Sequence, residues 1–362
     1  MIENTPVHLL KGLLNLTQEE LENKLKEQKE LFIEHTNYQN DPSWKWTNKC
    51  ISNGVFFDLS QVRWINIGAA TQLTLLIEYA KKEGVEVFVA LPTKVLTSKE
   101  QKANYNYDIK HNILKARKRV NSFLKVIQFD KAIKCEHIDS LTNVWLTETY
   151  EFQDKKSSMN IEQFNLAFES EIEDTNTNYT QYNYKFILPL TWLDSAKEYN
   201  PKGFESKLSK VLINTQRGLD DIDALSLKNV ILSELIKNVK EHAGDNTSHA
   251  LLSIGLMPTT TLAKRNKEDE IISYSNSMER DYIEALNKSE IENNIEIYFG
   301  DSGKGLVNDL KANYENRKNV ITSGKTGNLN ILKWSFNKWS TSKIHEENRG
   351  TKGLYRINRI VN

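Results

Sequence analysis

The fold of this chain is decided by residues 54–92, which read GVFFDLSQVRWINIGAATQLTLLIEYAKKEGVEVFVALP. The segment GVFFDLS has the apolar and aromatic composition of a buried strand, and RWIN has that of a short strand or turn. Residues 68–83 carry apolar side chains at helical spacing, and VEVFVALP predicts a further strand that stops at Pro92. A strand, a helix and a strand at this spacing form a βαβ unit, so the sequence predicts an α/β fold with a parallel sheet.

Helices are predicted on both sides of this unit. Thr17 and Glu20 form a capping-box pattern, so a helix is expected from about Thr17 to His35, followed by a polar connector. Residues 115–134 predict a second amphipathic helix. The positions expected to face inward on it are Val120, Phe123, Leu124 and Ile127.

Residues 53–134 together resemble a STAS domain, the fold of anti-sigma-factor antagonists. The segments FFDLSQVRWINIGAATQLTLLIEYAKKEGVEVFVALP and ARKRVNSFLKVIQFDKAIK carry the resemblance, with an insertion over residues 93–108. Regulated members of that family carry a phosphorylatable Ser in the loop before the first helix. Here the loop reads Asn66-Ile67-Gly68-Ala69 and has no hydroxyl, so the resemblance implies a plain protein-interaction module. A generic α/β half-domain is the alternative interpretation of the same segment.

Net charge, cysteine content and the length of the apolar segments limit the classes of protein to which this chain can belong. The formal net charge is +0, which gives no indication of a nucleic-acid partner or of an anionic membrane surface. Two cysteines, Cys50 and Cys135, are too few for a disulfide framework or a zinc site. The first residues lack a basic segment followed by a long apolar core, and the longest apolar stretch, 65–80, is interrupted by polar side chains. We therefore expect a cytoplasmic protein with no membrane span.

A chain of 362 residues is long enough for two domains with cores of their own. The expected organisation is a helix and connector over 1–50, a STAS-like domain over 51–150, a polar linker over 151–184 and a second domain over 185–362. In the second domain YKFILPLTWL, HALLSIGLM and NIEIYFGDSGKGL predict strands, and residues 203–218 and 226–243 predict helices.

The helix over 226–243 carries two stripes of side chains. One is apolar, and the other consists of Glu234, Asn238 and His242, which recur every fourth residue and so lie on one face. The strand that follows the polar insertion ends in Asp301, Gly303 and Gly305, a DxGxG pattern that by itself often marks only a tight turn. Near the C-terminus RGTKGLYRINRIV places a glycine pair, Gly350 and Gly353, before another amphipathic helix.

The order of these motifs resembles the GHKL ATP-binding fold, also called the Bergerat α/β sandwich. Histidine kinases, gyrase, mismatch-repair ATPases, heat-shock chaperones and anti-sigma-factor kinases share this fold. The motifs follow one another over 184–362 in the order helix with ExxxN, strand pair, DxGxG, loop and RGxxG. The helix motif, in which His242 follows Glu234 and Asn238, is most similar to that of the anti-sigma kinases. The resemblance implies ATP and Mg²⁺ as cofactors, with Asn238 as the Mg²⁺ ligand and Glu234 as the general base.

Elementary chemistry supports the remaining assignments. The carboxylate of Asp301 can accept a hydrogen bond from the adenine amino group, and Gly303 and Gly305 allow the backbone to approach the nucleotide closely. The helix start between Gly350 and Gly353 offers free N–H groups to the phosphates. For His242, a phosphate or lid contact and a local hydrogen bond at the helix end remain alternatives. The further nucleotide-binding candidates are Thr341, Lys343, Arg349, Thr351 and Lys352.

Other sites are not supported by their context. The helix around His111 lacks the residues that accompany a phosphoacceptor histidine, and GKTG over 324–327 lacks the glycine spacing of a P-loop. Trp334, Phe336 and Trp339 are expected to pack in the lid rather than to stack on bases. In the family, further strands follow the last helix, so a chain that ends at Asn362 is expected to lack at least one strand of the sheet.

Three functions follow from the resemblance. The preferred one is Mg-ATP binding with slow hydrolysis that switches the conformation of the chain, the lid over about 311–349 closing on the nucleotide. The alternatives are a Ser/Thr protein kinase of the anti-sigma type and a catalytically idle scaffold that senses ATP. In each case the expected partner is another protein, for example a STAS or sigma/anti-sigma-like protein, or a second copy in a homodimer.

Overall fold

The computed structural model describes residues 5–28, 31–36, 42–103, 107–135, 144–147, 186–194, 235, 249–258, 293–301 and 306–335. The chain divides into two units, one formed by Met1–Thr191 with Leu252–Tyr298 and the other by Trp192–Leu251 with Phe299–Asn362. Three predicted parts of the chain lie outside the described residues: the linker over 151–184, the helices over 203–218 and 226–243 (Leu235 excepted), and the insertion over 259–292.

The N-terminal segment contains more strand than the sequence predicted. Its elements are β1 (Val7–Leu9), β2 (Asn15–Leu16), α1 (Gln18–Glu27), β3 (Phe32–Thr36), β4 (Pro42–Trp46) and α2 (Asn48–Asn53). The start of α1 is confirmed, because the Thr17 side chain accepts a hydrogen bond from the Glu20 N–H at 3.0 Å. The prediction that this helix runs to His35 is wrong. It ends at Glu27, because the residues after it form β3, which pairs antiparallel with β4.

The βαβ unit is confirmed. Its elements are β5 (Val55–Asp58), β6 (Trp64–Ile65), α3 (Ile67–Lys82) and β7 (Val87–Ala90). Strands β5 and β7 pair in parallel, and the short β6 pairs in parallel with β2. The fold of this part of the chain is therefore α/β with a parallel sheet and helices, as the spacing predicted.

The helix predicted over 115–134 is longer and is interrupted. The segment forms α4 (Ser98–Ala103), α5 (Tyr107–Val126) and α6 (Phe129–Ile133), followed by β8 (Val144–Thr147). Between α5 and α6, Gln128 adopts a left-handed conformation with φ 53°, which breaks the helix. The predicted inward positions Val120, Phe123, Leu124 and Ile127 are all buried, so the apolar stripe was identified correctly.

Four strands form one all-parallel sheet in the order β1-β5-β7-β8. The register aligns residues in rows across the sheet, and successive rows point to opposite faces. One row is Val7, Val55, Val87 and Val144, and the next is the aromatic row His8, Phe56, Phe88 and Trp145. Because both faces are apolar, β5 and β7 are nearly continuous hydrophobic runs, as buried parallel strands usually are.

The predicted strands of the C-terminal region are also confirmed. They are β9 (Phe186–Asp194), β10 (His249–Pro258) and β11 (Asn293–Asp301), and they form a three-stranded sheet in the order β11-β10-β9. The larger part of each strand belongs to the first unit. Pro189 lies in β9, which is an edge strand of this sheet, the place in a sheet where proline is tolerated.

Candidate functional site

The one predicted nucleotide-binding residue within the described part of the chain is Asp301. It is the last residue of β11, and its side chain is exposed. Its neighbour in the sheet, β10, is firmly held: Leu251, Leu252 and Ser253 are buried, and Ser253 Oγ donates to the Leu188 carbonyl of β9 at 2.9 Å. The exposed carboxylate of Asp301 faces solvent, where it can accept a hydrogen bond from a ligand amine.

The other predicted site residues lie outside the described residues, so the structure neither brings them together nor separates them. They are Glu234, Asn238, His242, Gly303, Gly305, Thr341, Lys343, Arg349, Gly350, Thr351, Lys352 and Gly353. The expected Mg²⁺ ligand Asn238 is among them. Within the described residues, no group of three or more His, Cys, Asp or Glu side chains is placed to hold a metal ion.

The first half of the predicted lid is a helical hairpin. It consists of α7 (Leu306–Lys318), which starts directly after the DxGxG segment, and α8 (Gly324–Ser335). Leu310, Ile331 and Trp334 form its core, and the rings of Tyr314 and Trp334 meet edge to face at 5.4 Å. Trp334 therefore packs inside this segment, as predicted, whereas Phe336 and Trp339 lie outside the described residues.

The turn between the two helices is held by one carboxylate. Glu315 on α7 accepts hydrogen bonds from the Thr322 N–H at 2.7 Å and from the Thr322 hydroxyl at 2.5 Å. These two bonds lower the pKa of Glu315, because they stabilise its ionised form. Ile321 in the same turn is 94% exposed and Leu329 on α8 is 49% exposed, so the hairpin presents apolar side chains to its surroundings.

The loop before α3, residues 66–69, serves as a helix cap. Asn66 is the N-cap of α3, and its side-chain oxygen accepts a hydrogen bond from the Ala69 N–H at 2.7 Å. An asparagine at this position satisfies one of the free N–H groups of the helix start. Gly68, in the first turn, is buried. The structure thus gives this loop a packing role.

A buried ion-pair network that the sequence did not predict lies after the carboxyl end of β7. Arg117 on α5 is 0% exposed, and its Nη2 donates to both carboxylate oxygens of Glu100 at 2.9 and 3.0 Å. Arg63 adds a bond to Glu100 at 2.7 Å, while Nη1 of Arg117 donates to the carbonyls of Thr93 and Val95. The network fastens the insertion over 93–103 to α5.

The ionisation of Glu100 follows from these contacts. Burial acts to raise its pKa, but the hydrogen bonds from Thr97 and Arg63 and the charge of Arg117 outweigh it, so that the pKa lies below its ordinary value. Burial lowers the pKa of Arg117, and Glu100 opposes that shift. One sequence signal could have indicated part of this arrangement: Thr97 and Glu100 form a capping box, with the Thr97 N–H donating to Glu100 at 2.9 Å.

Both cysteines are free thiols, and Cys50 is buried. None of the helices in the described part of the chain is long and apolar enough to cross a membrane.

Comparison with protein-family models, with curated proteins and with solved structures produced no match to this chain.

Proposed function

We propose that this chain is an Mg-ATP-binding protein with slow ATP hydrolysis that acts as a conformational switch for a protein partner. In this proposal the N-terminal half is a STAS-like interaction module and the C-terminal half is a GHKL-type domain. The observation that carries the proposal is the position of Asp301, at the very end of β11 and directly before the Gly303 and Gly305 segment. In the GHKL fold that the sequence resembles, a carboxylate at the end of a strand accepts a hydrogen bond from the adenine amine, and the glycines after it allow the backbone to approach the base.

The exposure of Asp301 is compatible with this role. A hydrogen bond to adenine is strongest when the carboxylate is screened from water, whereas the Asp301 side chain is exposed in the described structure. An adenine ring lying against β11 would cover the carboxylate and remove competing water, which strengthens a hydrogen bond to the ligand. The helical hairpin of α7 and α8 follows at once in the chain and is the element proposed to respond to the phosphates.

The remaining roles in the proposal come from the sequence pattern. Asn238 supplies an oxygen ligand to Mg²⁺, a metal that also takes phosphate oxygens and water. Glu234 accepts a proton from the water that attacks the γ-phosphate. Phosphorylation of the N-terminal module by the same chain is not part of the proposal, because Asn66 occupies the loop as a helix cap.

Calorimetric titration of the full chain with ATP and with GTP, each with Mg²⁺, tests the proposal. ATP should bind and GTP should bind much more weakly, because guanine presents an oxygen where adenine presents its amine. Asp301→Asn should lower ATP affinity about ten- to a hundredfold, the value of a hydrogen bond of about 1.5–3 kcal/mol to a charged group. Glu296→Gln is the matched control, since it removes a carboxylate from the same strand and should leave ATP affinity unchanged.

Two results would contradict the proposal. Equal affinities for ATP and GTP would show that Asp301 does not recognise the adenine amine. An equal loss of affinity in Asp301→Asn and Glu296→Gln would mean that the total charge of β11, and not a specific hydrogen bond, determines binding.

A further inference from the structure

The first turn of α3 leaves no room for a side chain at Gly68. A Cβ added there would lie 2.7 Å from the Gln18 side chain and closer still to the ring of Tyr298. Gln18 is exposed and its side-chain end is flexible, so it can move away. The Tyr298 ring is rigid and belongs to β11, so it lies directly against the Gly68 backbone. Both residues are in the first unit.

A second contact joins the same two parts of the chain. The Leu190 N–H on β9 donates to the Ile127 carbonyl, at the junction of α5 and α6, at 3.0 Å. The last carbonyls of a helix have no partner within the helix, and an edge strand has N–H groups that no neighbouring strand accepts. This bond satisfies one group of each kind. Leu190 and Ile127 are both buried.

The two contacts involve opposite edges of the three-stranded sheet, since its order is β11-β10-β9. On the other side they involve α3 and the α5–α6 junction, and α3 packs against α6. We call this pair of contacts, Gly68 with Tyr298 and Ile127 with Leu190, the seam.

We propose that the first turn of α3 is an internal docking surface whose occupant is strand β11 of the same chain. A glycine at position 68 is required because the Tyr298 ring takes the space of a side chain. The first turn of α3 is thus committed to an internal contact. Because Tyr298 and Asp301 lie on one strand, a ligand that shifts the end of β11 also shifts the ring against α3. This second step rests on the proposed nucleotide binding, whereas the docking does not.

Gly68→Ala tests the docking, because the seam reverses the usual sign of this substitution. Alanine is a better helix former than glycine, so in an unobstructed turn the change should raise the urea midpoint of unfolding. The seam instead predicts a lower midpoint. In a Tyr298→Ala background, Gly68→Ala should no longer lower the urea midpoint, since the ring that causes the decrease is gone. Two backgrounds serve as controls. Tyr298→Phe keeps the ring, and Gln18→Ala removes only the flexible neighbour, so in both of them Gly68→Ala should still lower the midpoint.

Hydrogen exchange gives a second measurement that does not depend on the folding of Gly68→Ala. In the otherwise unchanged chain, Tyr298→Ala should increase amide exchange over residues 67–70, because the cover of that turn is removed. Three results would each overturn the docking. The first is a higher urea midpoint for Gly68→Ala, and the second is an equal decrease of the midpoint when Gly68→Ala is made in the Tyr298→Ala background. The third is unchanged amide exchange over residues 67–70 in Tyr298→Ala.

The coupling is tested by adding Mg-ATP to the full chain. Exchange over residues 67–70 should change on binding, and the change should be lost in Tyr298→Ala. Binding without any change at α3 overturns the coupling and leaves the docking and the proposed function in place. Absence of ATP binding overturns the proposed function and the coupling together, and the docking is then decided by the unfolding and exchange measurements alone.

Discussion

Replacing Glu100 with glutamine removes the negative charge that faces Arg117 while retaining nearly the same shape. Arg117 is 0% exposed, and Glu100 accepts two hydrogen bonds from its Nη2 and one from Arg63. In Glu100→Gln the guanidinium of Arg117 remains buried, with the carbonyls of Thr93 and Val95 still bonded but without a counterion.

The magnitude follows from the burial of the pair. Removing one partner of a buried ion pair costs about 3–5 kcal/mol, because the remaining charge is uncompensated. For a unit of this size, each kcal/mol corresponds to about 2–4 °C, so the thermal midpoint of the N-terminal unit should fall by roughly 6–20 °C. An exposed pair is worth only about 0–1 kcal/mol. Lys24 and Glu27, which are 33% and 63% exposed, provide that comparison.

The assay is chemical and thermal unfolding of wild type, Glu100→Gln and the control Glu27→Gln at several pH values. The pKa of Glu100 is lowered in the folded protein, so its carboxylate stabilises the fold above the unfolded pKa of about 4.3. That contribution is lost as the pH falls through the folded pKa. The difference between wild type and Glu100→Gln should therefore be constant between about pH 6 and 8 and should shrink below about pH 4.

A loss of unfolding free energy in Glu100→Gln no larger than that in Glu27→Gln at pH 7 would refute the stabilising role of the buried pair. A difference that grows toward acid would also contradict it, since the sign of the pKa shift would then be reversed. Arg117→Met added to Glu100→Gln removes the uncompensated charge and should recover part of the lost stability.

The remaining predictions concern catalysis and modification. Glu234→Ala should retain affinity for a non-hydrolysable ATP analogue while phosphate release falls by about 10²–10⁴-fold, because only the proton acceptor is lost. Asn238→Ala should weaken Mg²⁺-dependent binding together with turnover, as loss of a metal ligand requires. Equal effects of the two substitutions, with circular dichroism showing folded protein, would assign both residues to packing. Incubation with Mg-ATP followed by intact-mass and peptide measurement should show no phosphate on residues 53–134, because the loop before α3, residues 66–69, has no hydroxyl side chain. A stoichiometric phosphopeptide from this segment would contradict that reading of the loop.

The parts of the fold that the sequence predicted are those where one local pattern determines the structure. The apolar runs around Phe56 and Phe88 and the helical spacing between them have no competing interpretation, and they form β5, α3 and β7. Thr17 identified the start of α1 because a cap is a local hydrogen bond. The end of α1 was missed because β3 is stabilised by β4, and that pairing is not encoded in β3 alone.

Other features depend on contacts between distant residues. The break at Gln128 has no glycine or proline to mark it, yet the chain turns there into a left-handed conformation. The burial of Arg117 depends on Glu100 and on two loop carbonyls, which charge patterns do not reveal. For the candidate site, the sequence placed Asp301 correctly at a strand end, and its proposed role stays a prediction.

The all-parallel order β1-β5-β7-β8 limits where this chain can be divided for expression. Strand β8 comes last in the chain, so a fragment that ends before residue 144 has β7 as its outer strand. All four residues of β7 are buried in the complete sheet. An uncovered apolar edge of this kind is a template for pairing with other chains. Fragments that end between 136 and 143 should therefore aggregate more readily, as they leave the ribosome, than fragments that end after Thr147 and retain β8 along the edge of β7.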